Sequence, residues 1–240
     1  MISDQAIRSL ARKFQTTELN IRREYFQHLF LFYFYQQPLA DQVYFKGGTA
    51  LRMIYNSPRF SEDLDFSSYV NDANQIEAAL LETLIAINRE NIDIDLVEST
   101  ITSGGYLAII NLQTEDQMAV SIQLEISLRE GEKRGEAVTI ASDYIPAYTI
   151  ISLVKEQLVD EKIKAYLTRK KARDFYDLYF ILRANLMSTQ KKDILSQAME
   201  TLNQTSINFE RELKEFLPRS HWAIIRNFPI PLRREIERFI

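Results

Sequence analysis

The sequence predicts an α+β protein in which a mixed α/β N-terminal half, residues 1–150, precedes an α-helical half, residues 151–240. Three observations carry that prediction. The run Val120-Ser121-Ile122-Gln123-Leu124-Glu125-Ile126-Ser127-Leu128 alternates aliphatic and polar residues, the period of a strand with one buried face, and belongs to the last of three β segments at about 92–99, 105–114 and 117–128. In residues 17–36 the period is helical instead, with Phe26, Leu29, Phe30 and Tyr33 at i, i+3, i+4 and i+7. From Ser152 onward only helical patterns follow.

The elements read in order as follows. Residues 3–14 and 17–36 are helices, with Ser3 or Asp4 and Thr16 or Thr17 as N-caps. Asp41 to Phe45 enters a first strand, Gly47-Gly48 turns the chain, and Gly48 to Tyr55 forms a short helix. A second strand carries Asp63-Leu64-Asp65-Phe66, and residues 71–90 are helical. Ser103-Gly104-Gly105 and Thr114-Glu115-Asp116 supply hairpin turns between the β segments. A polar loop at Gly131 to Gly135 precedes a short strand around Val138 to Ile140.

Composition narrows the chemistry. Cysteine is absent and only His28 and His221 are present, which removes thiol catalysis and cysteine or multi-histidine metal sites. Any bound metal must then sit among carboxylates, which favours Mg²⁺ or Mn²⁺. The longest wholly apolar run, Leu29 to Tyr35, is far short of the roughly 20 residues needed to span a bilayer. With no signal-peptide pattern at the N-terminus, a cytoplasmic location and no membrane partner are expected. A net charge of −4 argues against a broad surface for nucleic acid, although Arg169, Lys170, Lys171 and Arg173, and again Arg233, Arg234 and Arg238, form local basic groups.

The chemistry concentrates in Phe45-Lys46-Gly47-Gly48-Thr49-Ala50-Leu51 and Ser61-Glu62-Asp63-Leu64-Asp65-Phe66. Strand alternation projects Asp63 and Asp65 to one side and Leu64 and Phe66 to the other. Two carboxylates so placed suit a divalent cation. The glycines let the backbone approach a ligand closely, and the N–H groups opening the next helix are donors for phosphate oxygens. Gly47, Gly48, Thr49 and Ser61 are therefore expected to bind phosphates, with Lys46 either a further contact or a solvated residue. Together these features suggest phosphoryl or nucleotidyl transfer.

In the helical half, Lys162 shares a stripe with Val159, Ile163 and Tyr166, where a bare lysine is costly to bury. It is expected to line a cleft and meet an anion. Asp174 and Asp177 share a stripe with Leu178 and Ile181, and Arg173 and Asp177 can pair at i, i+4. Structural ion pairs alone would also explain these four residues.

The block Lys46 to Arg52, with Tyr55 and Arg59-Phe60-Ser61-Glu62-Asp63-Leu64-Asp65-Phe66, resembles the signature of the AbiEii/AbiGii-type nucleotidyltransferase toxins of the DNA polymerase β-like superfamily. A second similar block runs from Glu161-Lys162-Ile163-Lys164-Ala165 to Arg173-Asp174-Phe175-Tyr176-Asp177-Leu178. The resemblance implies a polymerase β-like core with a mixed sheet, and a helical half that closes the active-site groove. It implies an NTP substrate, a tRNA 3′ end as acceptor, a cognate antitoxin and the role of a toxin in a bacterial toxin–antitoxin or phage-abortive system. It also implies a third metal carboxylate on a neighbouring strand, for which Glu125 is the candidate beside Asp63 and Asp65. Lys162 would clamp the triphosphate, Asp177 would orient an acceptor or a basic side chain, and Arg173 and Asp174 would belong to the nucleotide site.

Two other readings stay open on the residues. The same carboxylates could activate water in a metal-dependent nuclease, although a nuclease does not need Gly47-Gly48. A non-catalytic regulatory binding module is the other, against which stand the negative charge and the intact acidic set.

Overall fold

The computed structural model describes residues 2–70, 72–114, 119–128, 131–187 and 192–240, with the backbone alone at 192–193. The chain divides into two compact units, one of residues 1–56 and 60–154, the other of residues 57–59 and 155–240.

The first unit opens with α1 (Asp4–Lys13) and α2 (Glu18–Phe34). The side chains of Ser3 and Thr17 cap them, accepting from the N–H groups of Ala6 and Asn20 and so satisfying donors that a helix start leaves unpaired. The strands and remaining helices are β1 (Val43–Lys46), α3 (Gly47–Tyr55), β2 (Leu64–Ser68), α4 (Ala73–Asn88), β3 (Asp93–Thr102), β4 (Gly105–Gln113), β5 (Val120–Ser127), β6 (Gly135–Ile140) and β7 (Tyr148–Leu153). They form one sheet in the order β3-β4-β5-β2-β1-β7-β6. The sheet is mixed, with β2–β5 and β1–β7 parallel and the other pairs antiparallel.

Alternation sorts the two faces of the sheet. Phe45, Leu64, Phe66, Leu124 and Ile126 are fully or almost fully buried on one face, where Phe34 of α2 and Phe66 lie 5.6 Å apart between ring centres. Burying such a side chain stabilises the fold by about 1.5–3 kcal/mol. Tyr44, Lys46, Asp65 and Glu125 occupy the opposite side of the alternation. α2 is buried over more of its circumference than a single stripe requires, because α1, α4, β5 and β7 all pack against it.

One strand departs from the sequence reading. Residues 148–153 form β7, where the helical half was expected to begin at Ser152. The Ser152 hydroxyl donates to the carbonyl of Phe45 at 3.1 Å, bonding β7 to its neighbour β1. The helix follows only at Lys155. Gly47 is already helical, so α3 starts one residue earlier than the glycine turn suggested. The turn expected at Thr114-Glu115-Asp116 lies partly outside the described residues, as does Asn71 at the start of the predicted fourth helix.

The second unit comprises α5 (Lys155–Thr168), α6 (Ala172–Arg183), α7 (Lys192–Asn203), α8 (Phe209–Leu213), α9 (Trp222–Ile225) and α10 (Pro229–Glu237), with short 3₁₀ turns between α8 and α9. Its centre is aromatic: Tyr166 meets Phe175 at 4.6 Å, and Phe228 meets Phe209 at 5.0 Å and Tyr176 at 5.7 Å between ring centres.

Candidate active site

In the first unit the site is built where β1 turns into α3. Lys46 is the register partner of Asp65 across the antiparallel β1–β2 pair, and Asp65 is the partner of Glu125 across the parallel β2–β5 pair. Lys46, Asp65 and Glu125 therefore stand side by side on three adjacent strands. Asp63 stands immediately before β2, two residues from Asp65 in the alternation.

Gly47 explains why a glycine is needed at this corner. Its φ is +84°, a left-handed conformation in which other residues are strained, and it abuts the Asp65 side chain. A methyl group on Gly47 would overlap Oδ2 and lie 2.7 Å from both Cβ and Cγ of Asp65. The carboxylate thus rests on the first residue of α3, where the helix presents N–H groups without intrahelical acceptors and the positive end of its dipole.

Thr49 takes a different part from the one its sequence position suggests. It is buried, and its Oγ1 donates to the backbone carbonyl of Asp63 at 2.5 Å. The hydroxyl proton is thereby committed to the chain, leaving the N–H as the other donor of Thr49. Ser61 is half-buried, and its carbonyl accepts from Nε2 of Gln27 at 3.0 Å. Gly48 is a buried second residue of α3.

Glu125 is exposed and accepts a hydrogen bond from Gln123 Nε2 at 2.6 Å. Among the described residues no three histidine, cysteine, aspartate or glutamate side chains are gathered to hold a metal ion. The donor set still suits magnesium, which commonly takes one or two carboxylates and completes its shell with water and substrate phosphates. Asp63 and Asp65 meet that need. The Gln123 bond engages Oε1 of Glu125 and leaves its second carboxylate oxygen as a further donor.

In the second unit the predicted stripe residues are buried as their spacing requires. Asp177, 1% exposed, accepts from Arg59 through both carboxylate oxygens, with Nε–Oδ1 2.8 Å and Nη2–Oδ2 3.0 Å, and from Lys162 Nζ at 2.8 Å. Burial alone would raise the Asp177 pKa, but the charges and hydrogen bonds of Arg59 and Lys162 outweigh it and hold the carboxyl below the usual range. Lys162 therefore does meet an anion, and that anion is Asp177. Arg59 is the partner that sequence reasoning missed. The one available signal was that a carboxylate buried on a helix stripe needs more than one donor.

Asp174 is equally buried and accepts from the Lys171 N–H at 2.9 Å and from Arg169 Nε at 3.1 Å, closing the first turn of α6. Arg173 is half-buried on the same helix.

Solved structures share this mixed sheet and its flanking helices. JHP933 from Helicobacter pylori superposes with a TM-score of 0.67 at 22% identity, covering 93% of each chain. MenT4, a nucleotidyltransferase toxin from Mycobacterium tuberculosis H37Rv, gives a TM-score of 0.64 at 16% identity, covering 100% of this chain and 93% of that one. No curated protein matches the chain. The family described as "Nucleotidyl transferase AbiEii toxin, Type IV TA system" matches residues 29–238, and the chain belongs to it. It is thus a nucleotidyltransferase toxin, and a toxin of such a system has an antitoxin partner. Among the described residues no helix is long and apolar enough to cross a membrane.

Proposed function

We propose that the protein transfers a nucleoside monophosphate from an NTP to the 3′ hydroxyl of tRNA in a magnesium-dependent reaction. The acceptor oxygen bonds to the α-phosphorus, the bond to the β-phosphate bridging oxygen breaks, pyrophosphate leaves, and the hydroxyl proton is lost to solvent. Asp63 and Asp65 would hold the metal, with Glu125 as a third ligand. Bound there, the metal would lower the charge on the phosphates and on the departing pyrophosphate. The N–H groups of Gly47, Gly48 and Thr49 would bind phosphate oxygens at the α3 N-terminus, and Lys46 would add positive charge on the same side of the sheet. Asp65 would stay fixed against Gly47 throughout, which keeps the metal ligand and the phosphate donors in constant register.

The observation that supports this reading best is the contact between Gly47 and the Asp65 carboxylate. It joins the phosphate-binding turn to the metal-binding strand. The test incubates the protein with Mg²⁺, total tRNA and each α-labelled NTP in turn, beside Asp65→Asn. Label on tRNA that is lost in the variant supports the proposal. Shortened, unlabelled RNA would replace it with a nuclease, and no metal-dependent change in either substrate would replace it with a binding module.

A further inference from the structure

We infer that Gln27 and Thr49 are positioning residues that set the metal-binding carboxylates by gripping the backbone of the irregular segment leading into them. The inference rests on the assignment of Asp63 and Asp65 as metal ligands. Residues 60–63 form no helix or strand, yet they carry Asp63 to the head of β2. A segment without ladder hydrogen bonds needs its carbonyls satisfied by other means.

Two side chains supply those bonds from separate helices. Gln27 of α2 is 1% exposed and directs both N–H bonds of its amide at consecutive carbonyls, Ser61 at 3.0 Å and Glu62 at 3.1 Å. Thr49 of α3 takes the next carbonyl, that of Asp63. Three successive carbonyls are thus held by two buried side chains that lie 34 and 14 residues away in sequence. A glutamine amide buried among the aromatic residues of α2 is costly unless its donors are paired, and these two bonds pair both N–H groups.

The surroundings hold the same segment by its side chains. The Arg52 guanidinium lies 3.4 Å from the centre of the Phe60 ring and pairs with the buried Glu24, while Arg23 meets Glu62 at 3.3 Å. Thr49 is also the third residue of α3, so one residue ties the phosphate-binding turn to the backbone of a metal ligand. Without these bonds the segment remains attached but Asp63 is no longer fixed relative to Asp65.

The test compares Gln27→Leu, Thr49→Val and Thr49→Ser with the parent chain. Mn²⁺ affinity is read by electron paramagnetic resonance on the protein with the metal alone, and label transfer to total tRNA gives kcat and KM. Thr49→Val and Gln27→Leu are each expected to weaken Mn²⁺ binding and lower kcat by roughly tenfold to a hundredfold, with KM for NTP within about twofold, as misplacement of a reacting group does. Thr49→Ser keeps the hydroxyl and is expected to restore both. Unchanged Mn²⁺ affinity and kcat in Thr49→Val, whatever its melting temperature, would overturn the inference, and that variant decides the matter even if Gln27→Leu does not fold. If Asp65→Asn binds Mn²⁺ as the parent does, the metal assignment itself fails; if only Asp65→Asn is impaired, that assignment stands and the positioning role is rejected.

Discussion

Substituting Gly47 by alanine tests the close contact on which the active site is built. The added methyl carbon would lie 2.7 Å from Cβ and Cγ of Asp65, against an ordinary carbon–carbon contact of about 3.5–4.0 Å. Either the strand or the helix start must therefore yield by about 1 Å. A displacement of that size at a reacting centre costs about a hundredfold in rate, which corresponds to about 2.7 kcal/mol of transition-state stabilisation. The left-handed φ of +84° adds a stability cost of about 1–2 kcal/mol. Gly131→Ala separates the two effects, since Gly131 also has a positive φ, +128°, but has nothing within 4 Å of the added carbon. Label transfer and urea denaturation are measured on both variants. Gly47→Ala is expected to lose transfer and stability together, and Gly131→Ala to keep its transfer rate. Parental transfer in Gly47→Ala would refute the claim that Asp65 must rest against this glycine to function.

Two further outcomes concern buried charge. Arg59→Leu leaves the Asp177 carboxylate with Lys162 as its remaining described partner and is expected to cost about 3–5 kcal/mol in urea unfolding; a loss below about 1 kcal/mol would show that Lys162 alone satisfies Asp177. His28 is buried beside Tyr148, with Nδ1 2.8 Å from its hydroxyl, and burial first, with the Arg52 charge adding to it, outweighs the raising effect of the Glu24 carboxylate and lowers its pKa from 6.5 to about 4. The unfolded chain therefore binds this proton at a higher pH than the folded one, so the stability due to neutral His28 is complete above about pH 6.5 and declines by roughly 3 kcal/mol as the pH falls to about 4. His28→Phe should flatten that part of the stability–pH curve, and an unchanged slope would contradict the assignment.

The parts of the fold written in local periodicity were legible in the sequence. The alternation of Val120 to Leu128 and the helical stripe through Phe26 and Phe30 became β5 and α2, because a pattern of period two or 3.6 states directly which face is buried. β7 was not legible, since Tyr148 to Leu153 becomes a strand through its pairing with β1, more than 100 residues earlier, while the residues from Ser152 onward read as helical in isolation. The site divides in the same way. The strand alternation of Asp65 and the need for glycine at 47 could be read from residue type and spacing. Gln27 could not, because its role depends on carbonyls 34 and 35 residues away and its neighbours mark it only as part of a packed helix. Thr49 was expected at the site from its place after the glycines, yet that its hydroxyl is taken up by the chain depends on where the Asp63 carbonyl lies.

The three residues Ser57 to Arg59 group with α5–α10 although they sit in the chain between α3 and β2. The polypeptide therefore passes between the units three times, and severing it after Val154 does not yield two complete pieces. A fragment beginning at Lys155 lacks the guanidinium that neutralises Asp177, and should recover its fold better when a peptide spanning 57–59 is supplied in trans. Any split version of this toxin, for instance one reassembled from two inactive halves, is better divided in a loop that leaves this short excursion joined to both of its neighbours.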